Sequence, residues 1–392
     1  MTRSIEATIG TPAAAWSVDD LVGAFSGQRL RLVGLMHVGG DGSLKTLDFV
    51  PRDERHLRDI LTAGERADGS SLFKETGIPT QASDILLRPR IETAFIDPFA
   101  SEPTLSVLCS HAARDGSPLP DSPDTIVRRA FERLESKTGV RLMALGEVEY
   151  FLGKWASPLD VYGQEERGYH ATSPFVFGEG LRREALAALS AIGIPIKYGH
   201  SEVGYIAPSE DDPRIWEQHE IELALTPLPE AADAIVLTQW VLRQLARRHE
   251  MLCSFDPIMR KGHAGSGLHV HLSPVKDGLH LGGRTASGEL PRPALWLIGG
   301  LVRHGGALMG FGNRTEGSFV RLTQGKEAPN MVFWGEYDRE ALVRLPIVAT
   351  NSEGEWVTPP TIEFRLPDGS AHPHLLLAGV AQAVADASEL PE

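Results

Sequence analysis

Three apolar stretches of this 392-residue chain carry ionisable side chains at intervals of two: Gly146-Glu147-Val148-Glu149-Tyr150, Gly267-Leu268-His269-Val270-His271 and Ile362-Glu363-Phe364-Arg365. Successive side chains of a strand point to opposite faces, so Glu147 with Glu149, His269 with His271, and Glu363 with Arg365 each share one face, about 6–7 Å apart. A carboxylate among Val, Phe and Tyr is expensive unless opposite charge meets it. The chain must therefore fold so that these faces find compensation, and metal coordination would supply it. Taken singly, each pair has a plain alternative: E-x-E is the polar outer face of an edge strand, and H-x-H is a pair of core histidines or a zinc motif. Glu202 and Glu220, also beside apolar residues, add to the acids. A carboxylate majority with one imidazole suits Mg²⁺ or Mn²⁺ better than zinc.

Arginines gather in the C-terminal third, where Arg321, Arg339 and Arg344 precede Arg365. A guanidinium fork grips phosphate and carboxylate groups bidentately. For any one alone, a salt-bridged surface arginine is the plain alternative. The residues by themselves read as a two-cation, phosphate-handling enzyme.

The rest of the chain supplies the setting. Residues 29–36 and 44–50 are extended runs around Gly39-Gly40-Asp41-Gly42, a hairpin pattern, and residues 91–96 and 104–109 form a second extended pair. The stretch DGSPLPDSPD at 115–124 reads as a linker ending in a helix start, with Ser122 as cap and Pro123 in the first turn. Two domains follow from this, residues 16–113 and 122–392. Beyond the linker, helices are expected over 180–192 and 231–249, and strands over 142–151, 220–225 and 268–272. That mixture points to an α+β fold with a largely antiparallel sheet. A net charge of −14 and a pI near 5.5 argue against nucleic acid or an anionic membrane as partner. The two cysteines, Cys109 and Cys253, lie far apart in apolar surroundings and fit a reduced, cytoplasmic protein. No secretory leader and no uninterrupted apolar run of membrane length is legible.

Ordered motifs then carry a resemblance. Asp68-Gly69-Ser70-Ser71, the Glu147/Glu149 pair, Gln218-His219-Glu220, the G-S-G-x-H-x-H run from Gly265, Arg321-Leu322, Lys326-Glu327-Ala328-Pro329, Arg344-Leu345-Pro346 and Glu363-Phe364-Arg365-Leu366-Pro367-Asp368 follow one another. In content and order they resemble the glutamine synthetase family, from about Arg29 onward. The resemblance implies an N-terminal β-grasp domain, a catalytic domain whose curved antiparallel sheet forms a funnel between ATP and substrate, and a homo-oligomeric ring, a dodecamer. It implies Glu149, Glu202 and Glu220 as ligands of a first Mg²⁺ or Mn²⁺, and Glu147, His269 and Glu363 as ligands of a second. His271, Ser273, Arg339 and Arg344 would bind ATP. Arg321 and Arg365 would hold the substrate carboxylate and the acyl phosphate, with Gly265 lining the substrate's amino side. Glu327 would sit on a flap over the intermediate. Asp68 would reach the adjacent subunit's site to deprotonate ammonium, with Ser71 and Tyr169 nearby.

Departures from the family pattern accompany these matches. Ala264 stands where many members have Asn before the G-S-G turn; residues 72–77 carry no tryptophan; and the stretch between Glu202 and Glu220 is longer than usual, beside the first metal and the amine entrance. The chain ends soon after Ala378-Gly379, so regulation through an adenylylated C-terminal tyrosine is not expected. The expected reaction joins glutamate and ammonia with ATP. A γ-glutamyl-amine ligase using a polyamine or other primary amine is the nearest alternative, and a non-catalytic structural member the second. A phosphagen-type kinase of related fold would have no need of the Asp68 motif.

Overall fold

The computed structural model describes residues 5–74, 78–160 and 163–390, so residues 75–77 of the tryptophan-free segment lie outside the described part. The chain divides into two compact units, Met1–Ile126 with Ala187–Ile194, and Val127–Leu186 with Pro195–Glu392.

In the first unit, β1 (Leu32–Val38) and β2 (Leu44–Phe49) form the expected antiparallel hairpin. The other strands are β3 (Glu65–Asp68), β4 (Asp84–Pro89), β5 (Phe95–Ile96) and β6 (Thr104–Ala112). The sheet runs β2-β1-β6-β4-β3, with β5 on the edge of β6 and a parallel β1–β6 pairing. One sheet face buries Val33, Leu35, Leu105 and Val107 against Leu21 of α1 (Val18–Gly27) and Leu57, Ile60 and Leu61 of α2 (Glu54–Ala63). Ser17 and Asp20 cap α1 reciprocally, and Asp53 caps α2, satisfying amides that a helix start leaves free. Residues 91–96 differ from the expected strand: Ile91–Thr93 is a 3-10 turn, and only Phe95–Ile96 pairs. There the Thr93 hydroxyl accepts the Leu108 N–H, which takes the place of a backbone ladder bond. Strand β4 was not foreseen. At the end of β3, Asp68 caps the single-turn helix Gly69–Leu72, accepting hydrogen bonds from the Ser70 amide at 3.0 Å and from the Ser70 and Ser71 hydroxyls at 2.7 Å each.

The helix after the linker spans Pro123–Thr138, as the Ser122-Pro123 start predicts. The second unit is built on a largely antiparallel sheet whose strands lie in the spatial order 334–336, 343–345, 362–364, 268–276, 141–155, 214–223 and 196–206. Its central strand β7 (Arg141–Trp155) is 15 residues long. Around it lie β8 (Ile196–Ile206), β9 (Arg214–Leu223), β12 (Leu268–Lys276), β15 (Val343–Leu345) and β16 (Ile362–Phe364). Short strands β10 (Thr226–Pro227) and β11 (Leu252–Ser254) pair with β7, β13 (Leu279–His280) with β12, and β14 (Trp334–Glu336) runs parallel to β15. Strand β9 starts well before the expected Glu220. The stretch between Glu202 and Glu220 is therefore mostly a β8–β9 hairpin, whose connection is residues 207–213.

Three helices cover the apolar face: Leu228–Arg248, Arg292–Gly312 and Pro373–Ala387. Helix Arg292–Gly312 is long and apolar enough, by length and composition alone, to cross a membrane. Here it packs along Pro373–Ala387 and against the sheet, burying Leu297, Leu301 and Leu308. The opposite sheet face is lined with charge.

Candidate active site

Strand register assembles the charged face. Glu147 lies opposite Glu222 on one side and His269 on the other, Glu149 opposite Glu220, His200 opposite Glu220, and Glu363 opposite both His271 and Arg344. Directly opposed residues share a face, so the period-two pairs from separate strands converge. They line a cavity of about 1070 Å³ together with Glu166, Tyr169, Glu202, Gln218, Arg321, Glu327 and Arg339. Residues 207–213 do not line it, which places the β8–β9 connection away from the acids rather than beside them. The glycines of the G-S-G turn allow close approach. A Cβ on Gly265 would stand 2.6 Å from the Pro257 carbonyl oxygen, and one on Gly267 2.6 Å from His269 Nε2.

Glu147 is the hub. Its two oxygens meet His269 Nδ1 and His271 Nε2 at 2.9 Å each, and Glu363 Oε1 is 3.8 Å from the same His269 nitrogen. Burial works against ionisation of Glu147, but the two imidazoles outweigh it and hold its carboxyl well below the usual range. Glu363 is lowered likewise, burial being overcome by the Arg365 guanidinium. Glu147, His269 and Glu363 thus present ligand atoms within 4.8 Å of one another.

A second group forms beside them. His200 Nε2 is 3.1 Å from Glu220 Oε1, and His200, Glu202 and Glu220 have ligand atoms within the same 4.8 Å. The sequence expectation placed Glu149 in this group. Glu149 Oε2 instead accepts the Gly267 amide at 2.8 Å and the Gln218 side-chain amide at 3.0 Å, while its Oε1 lies 3.7 Å from His269 Nδ1. It stands between the two clusters. Burial, then the charge of Glu149, pushes Glu202 up to about 8, and burial with its four carboxylate neighbours pushes Glu220 well above the usual range. Such acids are short of positive charge, and a predominantly oxygen donor set with an imidazole fits a hard divalent cation.

The arginines are committed in different ways. Arg365 donates to the Arg339 and Glu327 carbonyls and pairs with Glu363. Arg321 donates to the carbonyls of Leu366 at 3.1 Å and Arg365 at 3.3 Å, and Arg344 meets Glu363 at 2.8 Å. Arg339 is the most exposed of the four, with Glu327 at 3.6 Å and the Tyr169 phenol as hydrogen-bond partner. Ser273 departs from expectation: its hydroxyl is fully buried, donates to the Pro360 carbonyl at 2.9 Å, and lies outside the cavity lining. Asp68 and Ser71 belong to the first unit, where serine hydroxyls hold the Asp68 carboxyl far below the usual range.

Two regions of the chain match family models: residues 29–112 match the glutamine synthetase β-grasp domain, and residues 120–387 the glutamine synthetase catalytic domain. The chain belongs to the glutamine synthetase family. It is a ligase, with that family's N-terminal β-grasp domain and α+β catalytic domain. A glutamine synthetase of Thermus thermophilus is 32% identical over 378 residues, covering 94% of this chain and 80% of the relative. A 3-hydroxylaminophenol mutase of Cupriavidus pinatubonensis is 31% identical over 359 residues, covering 84% and 72%. Among solved structures, a Plasmodium falciparum glutamine synthetase superposes with a TM-score of 0.80 at 20% identity, covering 96% of this chain and 76% of that one.

Several lining residues of this family member escaped sequence reasoning. His200 and Glu222 each carry the same spacing signal, H-S-E and E-I-E, two residues from an acid already singled out. Lys197, which meets Glu222 at 2.7 Å, and Glu166 gave no local signal.

Proposed function

We propose that this ligase couples glutamate to ammonia with ATP, through γ-glutamyl phosphate, to give glutamine. The observation that carries the reading is the convergence, in one cavity, of three carboxylate–imidazole groups, two of which share Glu147 (with His269 and Glu363, and with Glu222 and His271) while the third is His200, Glu202 and Glu220, with Arg339, Arg344 and Glu327 along the wall. Glu147, His269 and Glu363 would hold one Mg²⁺ or Mn²⁺, and Glu202 and Glu220, with Glu149 or His200, the other. Bound there, the cations would offset phosphate charge and polarise the transferring phosphoryl group. Arg339 and Arg344 would stabilise that group as charge shifts, His271 would orient ATP, and Arg321 and Arg365 would face the substrate carboxylate and acyl phosphate. Gly265 lets the substrate's amino end approach backbone. Glu327 would exclude water from the acyl phosphate, which hydrolyses when exposed. Ammonium must lose a proton to attack; Asp68 of a neighbouring subunit, with Ser71 and Tyr169, would attract the cation and accept that proton. This role for Asp68 is why the active species is proposed to be a homo-oligomer; the resemblance to the family makes it a dodecameric ring, and the two free cysteines favour the cytoplasm.

One observation favours a second reading, a γ-glutamyl-amine ligase: Ala264 lines the cavity with a methyl group where a polar contact to the amino acid would otherwise stand. Purified protein with ATP, Mg²⁺ and glutamate, offered ammonium, methylamine or a polyamine, separates the two by product analysis. Ammonium is expected to give glutamine, and Asp68→Ala to lower kcat/KM at least about tenfold. Product with a primary amine but none with ammonium would replace the first reading by the second.

A further inference from the structure

We propose that Glu166 is a positioning residue that clamps the Lys326-Glu327 turn to the cavity wall and thereby limits loss of the activated acid to water. Its chemical consequence rests on the ligase reading above; its geometry does not. Glu166 has a left-handed backbone, φ 55°, a conformation that a non-glycine residue keeps only where its surroundings hold it. Its carboxylate reaches two other segments. Oε2 accepts the Ala264 amide at 3.0 Å and lies 3.3 Å from Lys326 Nζ, while Oε1 is 3.4 Å from His263 Nδ1.

The turn that follows Lys326 is held from the sheet side as well. Glu327 is left-handed at φ 56°, its carbonyl accepts Arg365 at 2.9 Å, and its carboxylate lies 3.6 Å from Arg339. Glu166 is the ion partner of Lys326 on the other side. The pair is half-exposed, with 42% of the Lys326 side chain and 26% of the Glu166 side chain accessible, so it acts weakly by itself. The Ala264 hydrogen bond makes the difference, because it fixes the carboxylate where it faces Lys326. Ala264 has no polar side chain to compete for that acceptor. One carboxylate therefore ties the wall that carries Gly265 to the turn that carries Glu327.

Either an amine or water can attack the acyl carbon of the activated acid. With water, the bond from that carbon to the phosphate oxygen breaks, phosphate departs and the free acid is regenerated, so ATP is consumed without amide. A turn held against the wall disfavours that route.

The test uses full-length protein with ATP, Mg²⁺, glutamate and ammonium, reading phosphate released per glutamine formed, beside hydrogen exchange of the peptide covering 324–330 without substrates. In the wild type the ratio should be near one. Glu166→Ala and Lys326→Glu should each raise it about threefold, the scale of a half-exposed ion pair, and speed exchange of the turn. Glu166→Gln, which keeps an acceptor for the Ala264 amide but loses the charge that faces Lys326, should fall between the wild type and Glu166→Ala in both readouts, a grading that a merely structural defect would not give. Unchanged exchange in Glu166→Ala overturns the clamp, and so does a Glu166→Gln variant no better than Glu166→Ala. Faster exchange with an unchanged ratio overturns its role in excluding water. If no amine yields amide even in the wild type, the ligase reading fails, and exchange alone still decides whether the clamp exists.

Discussion

Glu202 and Glu220 show how a single residue's chemistry exposes the site's purpose. An ordinary glutamate folds with its carboxyl ionised; here burial and neighbouring carboxylates raise Glu202 to about 8 and hold Glu220 well above its usual range. The sign follows from proton binding. Between the ordinary value and about 8 the folded state holds protons that the unfolded chain has released, so cation-free protein loses stability as pH rises through that window. A bound divalent cation must displace those protons, so its affinity should rise over the same range. Thermal unfolding in chelator should therefore show Tm falling from pH 6 to pH 8, with saturating Mg²⁺ flattening the slope. A Tm that rises with pH in chelator would contradict the charge assignment. The period-two spacing made Glu147, Glu149, His269, His271 and Glu363 legible without any structure. His200 and Glu222 carry the same spacing, but no strand was expected through His200, and the expected strand over 220–225 had no assigned neighbour to set Glu222 opposite Glu147.

At the level of elements, spacing worked where one face was charged and failed where both were buried. Strand β9 is buried along nearly its whole length, and Glu217, Gln218 and His219 within it satisfy one another or neighbouring amides, so the polar letters looked like loop. The turn at Ile91–Thr93 shows the converse error, where apolar letters form a local helical turn because the Thr93 hydroxyl supplies the partner that Leu108 needs. Of the three helices behind the sheet only Leu228–Arg248 matches an expected helix, residues 231–249; Arg292–Gly312 and Pro373–Ala387 were not expected, and neither was their intimacy. A Cβ on Gly300 of helix Arg292–Gly312 would lie 2.5 Å from the Ala383 carbonyl oxygen of helix Pro373–Ala387, and one on Gly379 would lie 2.7 Å from Leu308 Cδ2. In an isolated helix Gly→Ala gains about 1 kcal/mol. Here the obstacle is backbone, so Gly300→Ala should instead destabilise by about 1–3 kcal/mol, the usual scale of overpacking. Urea unfolding checks this, and a variant more stable than wild type would show that the helices can separate freely.

For the whole molecule, the family was readable because the motifs keep their order over most of the chain, and the matches to both domain models rest on the same stretches. Which amine reacts was not readable. In the proposed reaction that choice would depend on the shape of a cavity whose lining, Tyr169, Ala264 and Glu327 included, comes from segments far apart in sequence, and no local spacing encodes its size. The charged face that the proposed acyl activation would use is encoded more deeply, in acids on the four strands β7, β8, β9 and β16 and imidazoles on β12. The most direct measurement is the stoichiometry of a single reaction mixture, with purified protein, ATP, glutamate and ammonium, titrated with Mg²⁺ from a chelated start. ADP and glutamine should appear in equal amounts, only when both cation and glutamate are present, and Glu149→Gln should abolish most of that turnover while the protein stays folded. Turnover that is indifferent to the cation, or undiminished in Glu149→Gln, would contradict the assignment of this cavity as a metal-dependent ligase site.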